Sequence, residues 1–351
     1  MKLSAASASM RRMFAVSLLS LIPGAGGCQW MNEGWSDFAA GFNGQAAEQA
    51  DDPERAEAAA EAVYQARLHR QGGNLDQALL WFHRALEEDT RQLEAHVGIG
   101  DIYQVRGDYA AAAGRYETAR RIDPTDYHAT YNLGLMYHLL NRVRDAVGMY
   151  LSALSIEPDS YDANFNLATA YLQIDQAGQA LPYARRAAEL EPSTQASFVN
   201  LGAVYAALGR HEEAIEAYRQ AEQQGPYSSQ LTTNLVNALV RSRQYEQAIS
   251  VIEEALSNEP SARYFERLGY VNFRLGRYQQ SLEAYDNALQ MEPDETAALN
   301  GAGVSLMTLY IQGDRNDHAL HDRAIKSWRQ SLSISPDQRR IVDLISRYGN
   351  L

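Results

Sequence analysis

Read for apolar and polar positions, the chain falls into short amphipathic stretches arranged two by two. In "YNLGLMY" (131–137) the apolar residues return every three or four positions, as on one face of a helix. Thirty-four residues later the chain reads "FNLATAY", and after another thirty-four "VNLGAVY". Prolines punctuate the pattern at Pro124, Pro158, Pro192, Pro226, Pro260, Pro293 and Pro336, at spacings of 34, 34, 34, 34, 33 and 43. Upstream of each lie two apolar helical patterns separated by a short polar turn, so the predicted unit is a pair of helices.

Small residues keep the same period: Ala112, Ala146, Ala180, Ala214 and Ala248, and seven positions after each, Ala119, Ala153, Ala187, Ala221 and Ala255. Aromatics recur as Tyr116, Tyr150 and Tyr218. A helical pair of this length cannot bury its apolar face alone, so neighbours must stack. Alanine at a helix crossing lets two backbones approach, and a ring fills the gap between pairs. Phe82, Tyr285 and Trp328 stand where that ring is needed in the first, seventh and eighth pairs.

The period of 34, with "IGDIY" from Ile99, then Tyr116, Ala119 and Pro124, resembles the tetratricopeptide repeat. The resemblance covers residues 59 to 336. It implies an all-α fold, a right-handed superhelix (α-solenoid) of about eight helical hairpins. These begin near Ala59, Leu93, Tyr127, Tyr161, Gln195, Ser229, Ala262 and Thr296. Residues 337–351 place Ile341, Leu344 and Ile345 on one face and are expected as a C-terminal capping helix. Three departures stand out. Thr90 replaces the usual proline; Pro182 and Ala184 weaken the fourth hairpin; about nine extra residues lie around 310–322 in the eighth.

The N-terminus has a different design. Arg11 and Arg12 precede a ten-residue apolar run, Met13 to Ile22, which Pro23 ends. This is the anatomy of a signal peptide, and the run is too short to span a bilayer. Translation from Met10 would keep all of it. "AGGC" (25–28) resembles the lipobox of bacterial lipoproteins, which implies removal of residues 1–27 and lipidation of Cys28. Several acyl chains would then anchor the protein firmly, and Gln29 after the cysteine favours the outer membrane over the inner, facing the periplasm. Residues 28–58 read as a tether whose Trp30, Trp35, Phe38 and Phe42 either insert at the lipid interface or dock on the first hairpin.

Charge narrows the partners. The net charge is −13, and the only lysines are Lys2 and Lys326. An acidic body without a basic stripe argues against nucleic acid. Cys28 is the one cysteine, so there is no intrachain disulfide.

Candidate chemistry lies on the first helix of each hairpin. Asn132, Asn166, Asn200 and Asn234 recur at the sixth position, where asparagine costs about 0.5 kcal/mol relative to alanine. A primary amide matches both the N–H and the C=O of an extended backbone. In this family first helices line the concave surface, and the ladder resembles one that holds peptide main chain; bonding between repeats is the other use open to it. Around it stand His128, Tyr131, His138 and Phe165. Arg263 and Arg267, one helical turn apart, resemble part of a carboxylate clamp, although Val199 and Ala203 replace its remaining members. Intramolecular pairing with Glu266 is the alternative. No nucleophile–base set, glycine-rich phosphate loop or CxxC is present, and His318 and His321 with Asp314, Asp317 and Asp322 read as a solvated loop rather than a metal site, so neither an enzyme nor a cofactor is expected. The expected function is a membrane-anchored scaffold that holds protein or peptide partners and assists assembly, secretion or proteolysis complexes. A self-associating spacer is the alternative.

Overall fold

The computed structural model describes residues 52–226 and 228–349. The signal segment 1–27, Cys28 and most of the tether lie outside the described residues. The chain divides into two compact units, Met1–Ile102 and Tyr103–Leu351. Among the described residues there are seventeen α-helices and no strand, an all-α architecture consistent with a solenoid.

In the first unit, α1 (Pro53–Gln71) and α2 (Leu75–Glu88) form a hairpin, and most of α3 (Leu93–Val105) follows. Helix α1 starts six residues before Ala59, so residues 53–58 are helix rather than tether. The cause is local. Asp52 accepts a hydrogen bond from the Glu54 N–H at 3.1 Å, and Pro53 takes the first helical position, where its missing N–H costs nothing. The buried Phe82 ring of α2 lies against Gly98 of α3, which leaves no room there for a Cβ.

The second unit continues with α4 (Tyr109–Ile122), α5 (Tyr127–Leu139), α6 (Val143–Ile156), α7 (Tyr161–Gln173) and α8 (Ala177–Leu190). Next come α9 (Gln195–Ala207), α10 (His211–Gln223), α11 (Ser229–Arg241), α12 (Tyr245–Asn258) and α13 (Ala262–Arg274). The series ends with α14 (Tyr278–Met291), α15 (Thr296–Gln312), α16 (His318–Ile334) and α17 (Arg339–Tyr348). Several first helices start after a short polar side chain that closes an exposed N–H, although Thr194 before α9 makes no such bond. Asp126 accepts from Ala129 at 2.6 Å, Ser160 from Ala163 at 3.1 Å and Ser228 from Leu231 at 3.2 Å. Between first and second helices the backbone turns through one left-handed residue (Gly107, Asn141, Asp175, Gly209, Arg243, Gly276), and in the eighth hairpin through two, Asp314 and Arg315. Glycine, asparagine and aspartate tolerate that conformation; arginine does not do so readily.

Packing follows the small-residue and ring pattern. Ala112, Ala146, Ala180, Ala214 and Ala248 are fully buried, as are the rings of Tyr116, Tyr150 and Trp328. A Cβ on Gly134 would stand 2.9 Å from the Tyr150 ring, and one on Gly269 would stand 2.8 Å from Tyr285. Second helices pack on first helices, whereas successive first helices also touch one another: α5 with α7, α7 with α9, α9 with α11, and α13 with α15. The faces that meet along this row carry the candidate site.

The departures are absorbed in different ways. Pro182 sits inside α8, which stays continuous from Ala177 to Leu190. Only the bond to Gly178 is forfeited, and the neighbouring Tyr183 stacks on Tyr171 at 5.9 Å. The extra residues of the eighth hairpin lengthen α15 and α16 to 17 residues each, with Tyr310 buried between them. Helix α17 then sets Ile341, with Leu344, Ile345 and Tyr348, on the apolar surface of α15 and α16.

A histidine fastens that last helix. His321 Nε2 lies 2.8 Å from the Tyr348 carbonyl oxygen, and Nδ1 lies 3.1 Å from Asp322 Oδ1. Both partners are acceptors, so both ring nitrogens donate only in the imidazolium. The bond to Tyr348, and then Asp322, raises the His321 pKa above its ordinary 6.5. A raised folded-state pKa gives stability that is fully present below the unfolded value and lost as pH rises through the folded one. Amide exchange in α17, corrected for intrinsic rates, should therefore be faster at about pH 9 than at about pH 6. His321→Gln should abolish that difference. Equal protection at both pH values in the unsubstituted protein would contradict the role given to the imidazolium.

Candidate functional site

The four ladder asparagines take the same register in α5, α7, α9 and α11 but do different work. Asn166 Nδ2 donates to the Tyr131 hydroxyl at 2.7 Å, and Asn200 Nδ2 donates to Thr169 Oγ1 at 2.7 Å. Each of these bonds joins two neighbouring hairpins. Asn132 is only 7% exposed, and its Nδ2 donates to the His128 carbonyl of its own helix at 3.0 Å. Asn234 Oδ1 accepts from Gln230 Nε2 at 3.0 Å, again within one helix. Buried as it is, Asn132 offers a peptide little, and the amides of Asn166 and Asn200 fix how hairpins stack. The Oδ1 of Asn200 is shut away from solvent and accepts no hydrogen bond. An unpaired buried acceptor costs about 1–3 kcal/mol.

The aromatic residues are held by other rings. Tyr131 stacks on Tyr127 with centroids 5.7 Å apart and planes 7° from parallel, and it tilts against the buried Tyr150 at 5.9 Å. Burial raises the Tyr131 pKa, so the phenol stays protonated while Asn166 donates to its oxygen. Phe165 occupies the same register in α7 and packs on Tyr161 at 5.8 Å. Both rings remain half-exposed. The exposed His128 meets Tyr116 edge-on at 6.4 Å. His138 Nε2 lies 2.9 Å from Gln173 Oε1. The structure thus gathers His128, Tyr131 and His138 on α5 beside Phe165 on α7.

The two arginines of α13 part company. Arg263 is exposed, whereas Arg267 is half-buried with Nε 3.4 Å from Glu266 Oε2, close enough for an ion pair but not aligned as a hydrogen bond. Burial raises the Glu266 pKa, while Arg267 and Arg263 act against it. No group of three or more His, Cys, Asp or Glu residues is placed to hold a metal among the described residues.

Tyr127, Thr169 and Gln173 belong to this surface and were missed in the sequence. A signal existed for each. Tyr127 and Tyr131 form an i, i+4 aromatic pair. Thr169 precedes Asn200 by 31 residues and Gln173 follows His138 by 35, one period displaced by a few residues, which is where adjacent first helices meet.

Residues 97–163, 165–229, 233–296 and 267–309 match the tetratricopeptide repeat family. No curated protein matches the chain. Among solved structures, the chain is similar to pilF of Pseudomonas aeruginosa, at 20% identity and TM-score 0.49 over 59% of this chain and 94% of that one. It is similar to MamA at 24% identity and TM-score 0.46, over 48% and 91% of the two chains. A tetratricopeptide repeat protein from Parabacteroides merdae aligns at 14% identity and TM-score 0.49, over 71% and 99%. The family match spans more than half of the sequence, runs without strands through paired helices, and places the chain in the tetratricopeptide repeat family.

Proposed function

We propose that the chain holds a partner polypeptide on the face where first helices of the second unit meet, while anchored to a bacterial membrane through Cys28. Tetratricopeptide repeats form scaffolds for protein–protein contacts, and no catalytic family is indicated. One observation carries the choice of face. Tyr131 and Phe165 present half-exposed rings at matching register on neighbouring first helices, each ring braced by another one turn earlier. Braced aromatic rings offer large contact area with little side-chain entropy left to lose. His128 and His138 stand on the same helix as Tyr131, and Asn234 and Arg263 add polar groups farther along, on α11 and α13. Asn166 and Asn200 keep adjacent hairpins in register, so that the rings stay aligned.

In this reading the protein faces the periplasm, at the outer membrane by the identity of Gln29, and supports assembly, secretion or proteolysis complexes. A photoreactive residue in place of Phe165 should crosslink a distinct polypeptide in cells. The same probe at the exposed Leu151, on a second helix, should not. Equal labelling from both positions, or a product containing only a second copy of this chain, would defeat the partner-holding reading. For the anchor, Cys28→Ser should move the protein from the membrane fraction to the soluble one, and retention at the membrane would rule that attachment out.

A further inference from the structure

Farther along the second unit, a cavity of about 580 Å³ opens where α11 and α13 end. Arg241, Arg243, Arg267 and Arg274 line it together with Tyr245 and Tyr270, and none of its lining residues is an aspartate or glutamate. In a chain with 44 acidic and 31 basic residues, four arginines on a lining without an acid form a local reversal of charge, with Glu266 beside Arg267 as the one acid paired to them among the described residues. The site is also stiff. The Arg274 guanidinium lies over two rings, 5.2 Å from the centroid of Tyr245 and 5.8 Å from that of Tyr270, and donates to the Tyr270 hydroxyl at 2.8 Å. The Tyr245 hydroxyl is buried and has no hydrogen-bond partner, as is the Arg267 Nε apart from its ill-aligned approach to Glu266.

Arg241 and Arg274 end their helices, where a cation suits the helix dipole. That accounts for neither Arg267 within α13 nor Arg243. Arg243 holds φ at 60° in the turn where Gly107, Gly209 and Gly276 stand in other hairpins. A left-handed arginine is strained by roughly 1–3 kcal/mol. Arg315 holds the same conformation in the eighth hairpin, so it is the place of Arg243 in the cavity lining, and not the strain, that singles out its guanidinium.

We propose that this cavity takes an acidic segment of the partner polypeptide, a run of aspartate or glutamate side chains gripped by charge-assisted hydrogen bonds from the four guanidinium groups. The proposal rests on the partner-holding reading above and assigns the charge of what is held. The volume is too large for one carboxylate and fits a cluster of them.

The test uses the full chain and a fluorescent poly-L-glutamate peptide, followed by anisotropy. The unsubstituted protein should bind saturably, and more weakly as salt rises. Arg243→Gly should weaken binding about tenfold, the loss of roughly one charge-assisted contact. Because it relieves the left-handed strain, it should also leave the thermal midpoint unchanged or higher, which separates lost contact from lost fold. Arg241→Gln should weaken binding in the same sense. Absence of saturable binding, or equal binding by all variants, would overturn the proposal. So would displacement of the peptide by inorganic tripolyphosphate at matched charge, which would assign the cavity to phosphate chemistry. Loss of peptide binding with the crosslink from Phe165 intact removes this cavity alone, and the converse removes the aromatic face alone.

Discussion

In four hairpins of the second unit a ring from the second helix lies across a glycine of the first, and the stacking depends on that contact. Tyr150 lies over Gly134, Tyr218 over Gly202, Tyr285 over Gly269 and Trp328 over Gly303. Tyr285 reaches further and also covers Gly301 of the next first helix, so one ring seals two hairpins. Burying a side chain of this size is worth about 1.5–3 kcal/mol. The ion pairs that run between hairpins, Arg277 with Glu246 at 2.7 Å and Arg186 with Asp159 at 2.6 Å, are exposed, and such pairs contribute about 0–1 kcal/mol. Apolar packing therefore sets the stack, and charge is left free to vary along it.

That freedom explains how one fold carries two unlike surfaces. Once rings and small residues have fixed the distance between first helices, the outward positions of those helices can be aromatic in α5 and α7 and basic in α11 and α13. Two amide bonds, Asn166 to Tyr131 and Asn200 to Thr169, add register to a stack that apolar contacts alone would let slide. Asn166 and Asn200 offset the cost of asparagine in a helix by joining neighbours, whereas Asn132 and Asn234 bond only within their own helices.

The fold was readable because its period is written in residues with one job each: alanine at crossings, rings in gaps, proline after the second helix. What escaped was local or three-dimensional. The start of α1 was hidden in "DDPER" (51–55), whose charges suggest a tether although Asp52 and Pro53 are a helix cap. The nine extra residues looked like a loop, yet they extend two helices because Tyr310 can be buried between them. Of the candidate residues, Tyr131, Phe165, His128 and His138 could be grouped from spacing alone. The partners of the asparagines could not, since that requires knowing which side chains of adjacent helices touch. The basic cavity was missed for the same reason, as its arginines come from two hairpins and a turn.

The ring contact is tested most directly by a pair of alanine substitutions read by thermal unfolding. Gly134→Ala puts a methyl group against the buried Tyr150, while Gly148→Ala, in the following helix, meets nothing within 4 Å. The account predicts that Gly134→Ala destabilises by about 1–3 kcal/mol and Gly148→Ala stabilises by about 0.5–1 kcal/mol, so the two midpoints move in opposite directions. If both rise, the ring does not need the bare backbone beneath it, and the stacking has been assigned to the wrong contact.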